Sequence, residues 1–181
     1  MRDKCILPFL ITERLEFFQL TQADLPELEI LLGDTEIMYA WEHGFTKIES
    51  QAWLNENLRR YSSDGYSYWA VRKKNDGSLI GVMGILKEVA EGKQYIGIGY
   101  ILNKKYWGQG YAGEGTEALC QYAFRKLQLQ TLTAQVRTNN FASQHIAEGL
   151  GMKAMCNFVK IYRGQEMPHF LYTLDLSLIH I

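Results

Sequence analysis

IGYILNKKYWGQGYAGEGTE, residues Ile98–Glu117, changes character twice along its length. Its first residues are typical of a strand, its middle is rich in glycine and aromatic residues, and its end begins a helical pattern. Within it, Gly108–Gly113 forms a G-x-G-x-x-G motif. Glycines just before a helix let main-chain N–H groups converge on an anion at the positive end of the helix. The stretch therefore predicts a strand, an anion-binding loop and a helix in succession.

The glycine loop has other interpretations. A dinucleotide-binding loop would follow the first strand of a βαβ unit and precede an acidic residue by about 20 positions. Here the loop follows the fourth predicted strand, and no Asp or Glu lies between Glu117 and Glu148. A P-loop would close with Lys-Ser or Lys-Thr, which is absent. A pyrophosphate cradle is favoured, and a plain tight turn stays open as the alternative.

Outside this stretch, strand and helix patterns alternate without a repeat or a linker, which predicts one domain over residues 1–181. Its core is expected at residues 12–176, with 177–181 as a candidate tail. Strands are predicted at Arg14–Leu20, Ser67–Lys73, Leu79–Lys87, Gln94–Leu102, Thr131–Arg137, Met155–Tyr162 and His169–Leu176. Helices are predicted after Thr21 or Asp24, after Thr46, after the glycine loop, and after Asn139 or Asn140 with Ala142, Ile146 and Leu150 inward. This order indicates an α/β fold with a mixed sheet.

The composition excludes several classes of protein. Apolar residues make up 47% of the chain, which suits a folded domain with a full core. The chain has 19 basic and 20 acidic residues, so binding to nucleic acid by counterion release is not expected. No apolar run approaches the ~18 residues of a membrane span, so no membrane contact is expected.

The three cysteines are Cys5, Cys120 and Cys156, an odd number with no zinc-ligand spacing. They predict no disulfide and no metal site, and a reducing, cytoplasmic environment. Cys120 and Cys156 are expected to be small buried apolar groups.

Two blocks of sequence carry a resemblance to a known family. Trp107–Ala112 matches the pyrophosphate signature Q/R-x-x-G-x-G/A after its first position, and NFASQHIAEGLGM, from Asn140 to Met152, matches a segment N-x-x-S/A…LGF. Together they resemble the GNAT superfamily of acetyl-CoA-dependent N-acetyltransferases, in the RimJ/RimL-type branch that acetylates ribosomal-protein N-termini. The resemblance implies a mostly antiparallel sheet with a splayed parallel pair in the middle, flanked by about four helices.

The resemblance also implies acetyl-CoA as co-substrate, no metal, and a set of site residues. A main-chain N–H of Ile101 or Leu102 would polarise the thioester carbonyl. Asn140 would bond the pantetheine amides, although it suits a helix cap equally well. Ser143 would assist the departing thiolate, or would only bond the main chain in a first helical turn. The implied cofactor-binding residues are Tyr100, Ile101, Leu102, Trp107, Gly108, Gln109, Gly110, Tyr111, Ala112, Gly113, Asn140 and Ser143, and the implied catalytic residues are Ser143, Ile101 and Leu102.

Three positions depart from the family's pattern. Trp107 replaces the Gln or Arg that usually opens the signature, so phosphate contact there is expected from the main chain. Gly97 stands where many members carry a Glu that is the obvious general base, and Ala147 stands where many carry a Tyr general acid. Amine attack on a thioester depends largely on orientation and carbonyl polarisation, so these changes do not forbid the reaction. The candidate acids near the expected cleft are Glu42, Glu88 and Glu91, although a solvated surface charge is the favoured interpretation of each.

The acceptor mouth is expected to form from Tyr39–Phe45 and from the final hairpin, Ile161–Phe170. Its predicted substrate-binding residues are Tyr39, Trp41 and Glu42, with His43, Tyr162 and Glu166 nearby. Aromatic rings beside carboxylates suit a protonated amine, and they suit a structural contact equally.

The sequence thus predicts an acetyl-CoA-dependent N-acetyltransferase. The acceptor would be a peptide N-terminal amine or a small-molecule amine, attacking directly in a ternary complex. The alternatives are a catalytically silent acyl-CoA-binding module on the same fold, and a nicotinamide-dependent oxidoreductase. Both a monomer and a homodimer fit the sequence.

Overall fold

A computed structural model of the chain describes residues 7–178. Over these residues eight strands form one sheet, in the order β1-β2-β3-β4-β5-β6-β8-β7. The strands are β1 (Leu10–Ile11), β2 (Leu15–Gln19), β3 (Tyr68–Lys73), β4 (Leu79–Ala90), β5 (Lys93–Leu102), β6 (Thr131–Arg137), β7 (Lys153–Tyr162) and β8 (Gln165–Asp175). The helices are α1 (Leu25–Gly33), α2 (Lys47–Ser63), α3 (Tyr111–Arg125) and α4 (Phe141–Gly149).

The sheet is mixed. Strands β5 and β6 run parallel and pair at Gly97 and Thr133. The pairs β1–β2, β2–β3, β3–β4, β6–β8 and β7–β8 are antiparallel. The predicted class, a mostly antiparallel sheet with one parallel pair and four helices, is confirmed.

The described chain divides into two compact units. The first holds the residues up to Gly84 together with Tyr100–Gly115, and the second holds Ile85–Gly99 and the residues from Thr116 onward. Strands β4 and β5 contribute to both units. The prediction of a single domain over residues 1–181 stays a prediction.

The first unit has a core of large aliphatic and aromatic side chains. Burying each such side chain contributes about 1.5–3 kcal/mol, so this set supplies much of the unit's stability. Its largest fully buried members are Leu15, Phe17, Leu28, Leu32, Met38, Leu54, Ile80 and Met83.

The second unit contains the parallel pair and the final hairpin. Strand β8 pairs with β7 across the tight turn at Arg163–Gly164 and with β6 along its other edge, so it lies between them. Ala90, Phe158 and Leu171 form a buried apolar cluster against which Tyr95 packs.

Helix starts follow the predicted capping signals. Thr46 accepts a hydrogen bond from the Glu49 N–H while the Glu49 side chain accepts one from the Thr46 N–H, which is a capping box. Asn140 caps α4, because its Oδ1 accepts a hydrogen bond from the Ser143 N–H at 3.0 Å. These contacts satisfy main-chain donors that have no partner within their helix.

Several details differ from prediction. The short strand β1 was not predicted, so the glycine loop follows the fifth strand and not the fourth. Cys120 is buried, and burial raises the pKa of its thiol to about 12, but Cys156 is exposed on the edge strand β7, after a register shift that follows Ala154. Ala142 is exposed, and Ala147 takes the buried position of α4.

Two further predictions concern the ends of the chain and membrane spans. Cys5 and the last three residues of the candidate tail lie outside the described residues. No helix within residues 7–178 is long and apolar enough to cross a membrane.

Candidate active site

The carboxyl end of β5 holds the two residues proposed to polarise the thioester. Ile101 and Leu102 are both buried, in the first unit. A Cβ placed on Gly81 of β4 would clash with the Ile101 carbonyl oxygen and lie 2.9 Å from the Leu102 Cα. Gly81 is therefore needed for the close approach of β4 to this end of β5.

Trp107 connects the end of β5 to the turn at Tyr39. Its indole Nε1 donates a hydrogen bond of 2.9 Å to the Leu102 carbonyl oxygen. Its ring meets the Tyr39 ring edge to face, with centroids 6.3 Å apart. Both rings are exposed on one side, so they offer an aromatic surface beside the main chain of β5.

The glycine loop has the conformation that its sequence predicts. Gly108 and Gly110 both have positive φ, +70° and +80°, a region that glycine enters without penalty. Helix α3 begins at Tyr111, and its first intrahelical bond runs from the Glu114 N–H to the Gly110 carbonyl. The loop therefore lies at the positive end of the helix dipole.

The surface of this loop is open to a ligand. A Cβ added at Gly108 or at Gly113 would have nothing within 4 Å, and one at Gly110 would meet only the Arg14 Nη2, at 3.4 Å. The Gln109 side chain folds away, donating from Nε2 to the Lys105 carbonyl at 2.8 Å. Main chain without side-chain cover, at a helix N-terminus, fits the pyrophosphate of acetyl-CoA.

Arg14, which directly precedes β2, holds the glycine loop through hydrogen bonds. Its Nη1 donates to the Gln109 carbonyl at 2.9 Å, and its Nε donates to Glu114 Oε2 at 2.6 Å. The guanidinium carbon lies 4.3 Å from the centre of the Tyr111 ring, in a cation–π contact. Thr12 completes the attachment, since its hydroxyl donates to Glu114 Oε1 at 2.5 Å.

A third glycine positions α3. A Cβ on Gly115 would clash with the Met83 sulfur and lie 3.3 Å from the Phe17 ring. The first turns of α3 therefore rest directly on β2 and β4, which fixes where the helix N-terminus points.

The predicted acceptor turn is a short 3₁₀ helix, Tyr39–Trp41. Glu42 ends it in a left-handed conformation with φ +62°, and its side chain is exposed. His43 is held by structural contacts, because Nδ1 lies 3.1 Å from the Trp41 carbonyl and Nε2 lies 3.4 Å from Glu49 Oε1. Main-chain and side-chain hydrogen bonds from Thr46 lower the pKa of Glu49, which keeps it a carboxylate beside His43.

Asn140 and Ser143 belong to the second unit. The cap on α4 uses the Asn140 Oδ1, which leaves its amide nitrogen as the group for the predicted pantetheine contact. Gln144 ties the same helix start to the end of β6, donating to the Arg137 and Thr138 carbonyls at 3.2 and 2.9 Å. Ala147 is 2% exposed, so its methyl group is packed away and offers no acid.

The predicted site residues therefore fall into two sets. The first unit brings together the end of β5, the glycine loop, Trp107 and the Tyr39 turn. The second unit holds Asn140 and Ser143, and it also holds Tyr162 and Glu166 of the final hairpin.

Sequence reasoning missed Arg14 and its partners Thr12 and Glu114. No local pattern marks them, because the pair Arg14–Glu114 joins positions 100 residues apart.

Comparison with known proteins gives one consistent result. Residues 14–153 match the Acetyltransferase (GNAT) domain family. YkkB of Bacillus subtilis (strain 168) is 30% identical over 164 residues, covering 90% of this chain and 93% of YkkB. The GNAT-family acetyltransferase from Bacillus anthracis superposes with a TM-score of 0.79 at 22% identity, covering 92% of this chain and 97% of that one. RimL, a ribosomal L7/L12 alpha-N-protein acetyltransferase solved with coenzyme A, gives 0.77 at 17% identity, covering 93% and 98%.

The two solved structures share the fold. The domain match covers most of the chain, and the YkkB alignment runs nearly end to end. The expected resemblance is thereby confirmed, and with it the enzyme class, an acyltransferase that uses acetyl-CoA as co-substrate. The chain belongs to the GNAT family of acetyltransferases.

Proposed function

We propose that the protein transfers the acetyl group of acetyl-CoA to a primary amine, by direct attack in a ternary complex. The observation that carries this proposal is the glycine loop. Its two left-handed glycines, its open surface and its place before α3 suit a pyrophosphate. The nicotinamide-dependent alternative loses its support, because this loop follows the fifth strand of a mixed sheet and no Asp or Glu lies between Glu117 and Glu148, where the acidic residue of a dinucleotide site is expected.

The roles proposed for the cofactor contacts follow from these positions. The main chain from Gly108 to Gly113 would hold the pyrophosphate, with Trp107 flanking it. The end of β5, from Tyr100 to Leu102, would pair with the pantetheine arm, and the Asn140 amide would bond the same arm. Trp107 offers the phosphates no charge, and the Arg14 guanidinium supplies a cation beside the loop, with its Nη2 3.4 Å from a Cβ built on Gly110.

The proposed reaction requires the protein to stabilise the oxyanion, to assist the leaving group and to position the acceptor. The main-chain N–H of Ile101 or Leu102 would stabilise the charge that develops on the thioester oxygen, which is commonly the largest catalytic effect in acyl transfer. The Ser143 hydroxyl would hydrogen-bond the departing sulfur. The acceptor must be held as a neutral amine within about 3–3.5 Å of the carbonyl carbon.

We propose a protein N-terminal amine as the first acceptor class to test. The exposed turn that carries Tyr39, Trp41 and Glu42 offers aromatic surface and a carboxylate to a positively charged amine. RimL, which shares the fold, is named a ribosomal L7/L12 alpha-N-protein acetyltransferase. Polyamines and small-molecule amines complete the panel.

Two measurements test the proposal. The first compares thermal stabilisation by CoA with that by NAD(P)H, and CoA should give the larger shift. The second detects thiol release from acetyl-CoA over a panel of peptides, polyamines and amino acids. Stabilisation by CoA without thiol release from any amine would favour the silent acyl-CoA-binding module, and the absence of CoA binding would refute both.

A further inference from the structure

A carboxyl group from β4 occupies the side-chain position that Gly97 leaves empty on β5. A Cβ built on Gly97 would overlap Glu88 Oε2 and lie 3.1 Å from the Glu88 Cδ. Gly97 has no positive φ that would require glycine. A side chain at this position would therefore require the Glu88 carboxyl group to move.

The surroundings of this carboxyl group are polar and lie at the parallel pair of strands. Gly97 pairs with Thr133, and the Thr133 Oγ1 lies 3.3 Å from the same empty Cβ position. Thr133 is 2% exposed, and its hydroxyl donates to the Ile96 carbonyl at 3.2 Å. The Thr133 hydroxyl oxygen can therefore still accept a hydrogen bond from a neighbouring donor.

Gln135 extends this polar group along β6. Its Nε2 donates to the Val89 carbonyl, next to Glu88, at 3.3 Å. Its Oε1 is buried and has no hydrogen-bond partner among the described residues. A buried amide oxygen without a donor costs free energy unless a ligand or a water supplies one.

The proposed reaction needs a proton acceptor. An N-terminal amine has a pKa of about 7.7–8.0 and a lysine-like amine about 10.4, so much or most of the acceptor arrives protonated. Only the neutral amine has the lone pair that attacks the carbonyl carbon. Gly97 precedes Ile101 by four residues on one strand, which puts Glu88 beside the strand that carries the proposed oxyanion donor.

We propose that Glu88 is the general base of the transfer, an inference that rests on the proposed function. Its carboxylate takes one proton from the acceptor ammonium, directly or through a water that donates one hydrogen to the Gln135 Oε1 and the other to Glu88. The neutral nitrogen forms the C–N bond as the C–S bond breaks and the electron pair leaves on sulfur. The thiolate takes up the second proton lost by nitrogen, and Glu88 returns the first to solvent.

The central test compares two acceptors in the variant Glu88→Gln. One is the best amine from the panel, and the other is its fluorinated analogue, which is neutral at pH 7 and needs no base. With the ammonium acceptor, kcat/KM should fall about 10²–10⁴-fold, the range for a lost general base. With the neutral acceptor the loss should be at least tenfold smaller. Equal losses with both acceptors, or no loss with either, would overturn the assignment.

A second pair of variants moves the carboxylate to the neighbouring strand. In the background Glu88→Ala, the change Gly97→Glu places a carboxyl group in the same polar space from β5, and the matched control is Gly97→Gln. The glutamate variant should recover at least tenfold of the activity with the ammonium acceptor, and the glutamine control should not. Equal recovery by both would mean that the site needs only volume, and it would refute a proton-accepting role.

The outcome is separable from that of the proposed function. If wild-type protein releases no thiol with any amine, the proposed function fails before Glu88 is tested. If wild-type protein turns over, and CoA affinity by calorimetry is the same in wild type and Glu88→Gln, any loss of rate lies in the transfer and not in cofactor binding.

Discussion

Arg14 and Glu114, 100 residues apart in the chain, are joined by two hydrogen bonds that connect the start of β2 to the first turn of α3. The Arg14 Nε donates to Glu114 Oε2 at 2.6 Å, and the Arg14 main-chain N–H donates to Oε1 at 2.9 Å. The same guanidinium holds the Gln109 carbonyl. One side chain thus fixes both the glycine loop and the helix that follows it.

The first prediction concerns this attachment. Arg14→Ala should weaken CoA binding by about 10- to 100-fold, because a hydrogen bond to a charged group contributes about 1.5–3 kcal/mol. Isothermal titration with CoA measures the effect. The matched control is Arg59→Ala, which removes an exposed arginine paired with Glu56 on α2. An unchanged CoA affinity in folded Arg14→Ala would show that the loop keeps its shape without Arg14.

The second prediction is a pH dependence of stability. Burial opposes ionisation of Glu114, but the hydrogen bonds from Thr12 and Arg14 outweigh it and lower the pKa of the carboxyl group below 4.5. The interaction therefore stabilises fully above the unfolded value and is lost as the pH falls through the lowered folded value. The melting temperature of wild type should exceed that of Glu114→Gln at neutral pH, and the difference should shrink below pH 4.5.

Other acidic residues titrate in both proteins, so their effect cancels in that difference. A difference in melting temperature that stays constant from neutral to acidic pH would mean that the Glu114 charge contributes nothing.

The third prediction tests the main-chain cradle. Gly110→Asp places a carboxylate where phosphates are expected, so CoA binding should be abolished while the fold survives. The matched control is Gly65→Asp, because Gly65 has a similar φ of +83° and nothing within 4 Å of an added Cβ. The control carries the same backbone strain and should bind CoA as wild type does. If titration shows equal CoA affinity for both variants, the pyrophosphate is held elsewhere.

The order of elements was predictable because each has a local cause. Thr46 and Glu49 form a capping box within four residues, and the alternating residues of Thr131–Arg137 mark a strand that the structure has at the same bounds. Strand β1 has only two residues, too few for an alternation to show. The buried face of α4 was misjudged because a nine-residue helix gives little more than two turns of pattern, so Ala142 and Ala147 are hard to tell apart.

The site was predictable where it depends on backbone shape. Two glycines before a helix predict left-handed turns, and Gly108 and Gly110 have them. The long-range contacts were not predictable. Nothing local in the sequence indicates that Arg14 meets the loop, or that Glu88 fills the space above Gly97. Such pairs depend on strand register, which one sequence does not display.

The last prediction concerns Ser143, whose main chain and side chain have separable roles. Its N–H donates to the Asn140 cap, and the variant Ser143→Ala keeps that N–H, so stability should be unchanged. The matched control is Asn140→Ala, which removes the cap and should cost about 1 kcal/mol of stability, visible as a lower melting temperature.

If the Ser143 hydroxyl assists the leaving sulfur, Ser143→Ala should lower kcat by about 10- to 100-fold, less than the loss typical of an oxyanion donor. The effect is modest because a thiol has a reference pKa of about 8.5, so the thiolate leaves with only a hydrogen bond to help it. CoA affinity should stay near the wild-type value, since the proposed pyrophosphate contacts lie in the glycine loop. Single-turnover kinetics with acetyl-CoA isolate the transfer from product release. If Ser143→Ala transfers the acetyl group at the wild-type rate, Ser143 is only a residue of the first helical turn. If its CoA affinity collapses, Ser143 is a cofactor-binding residue.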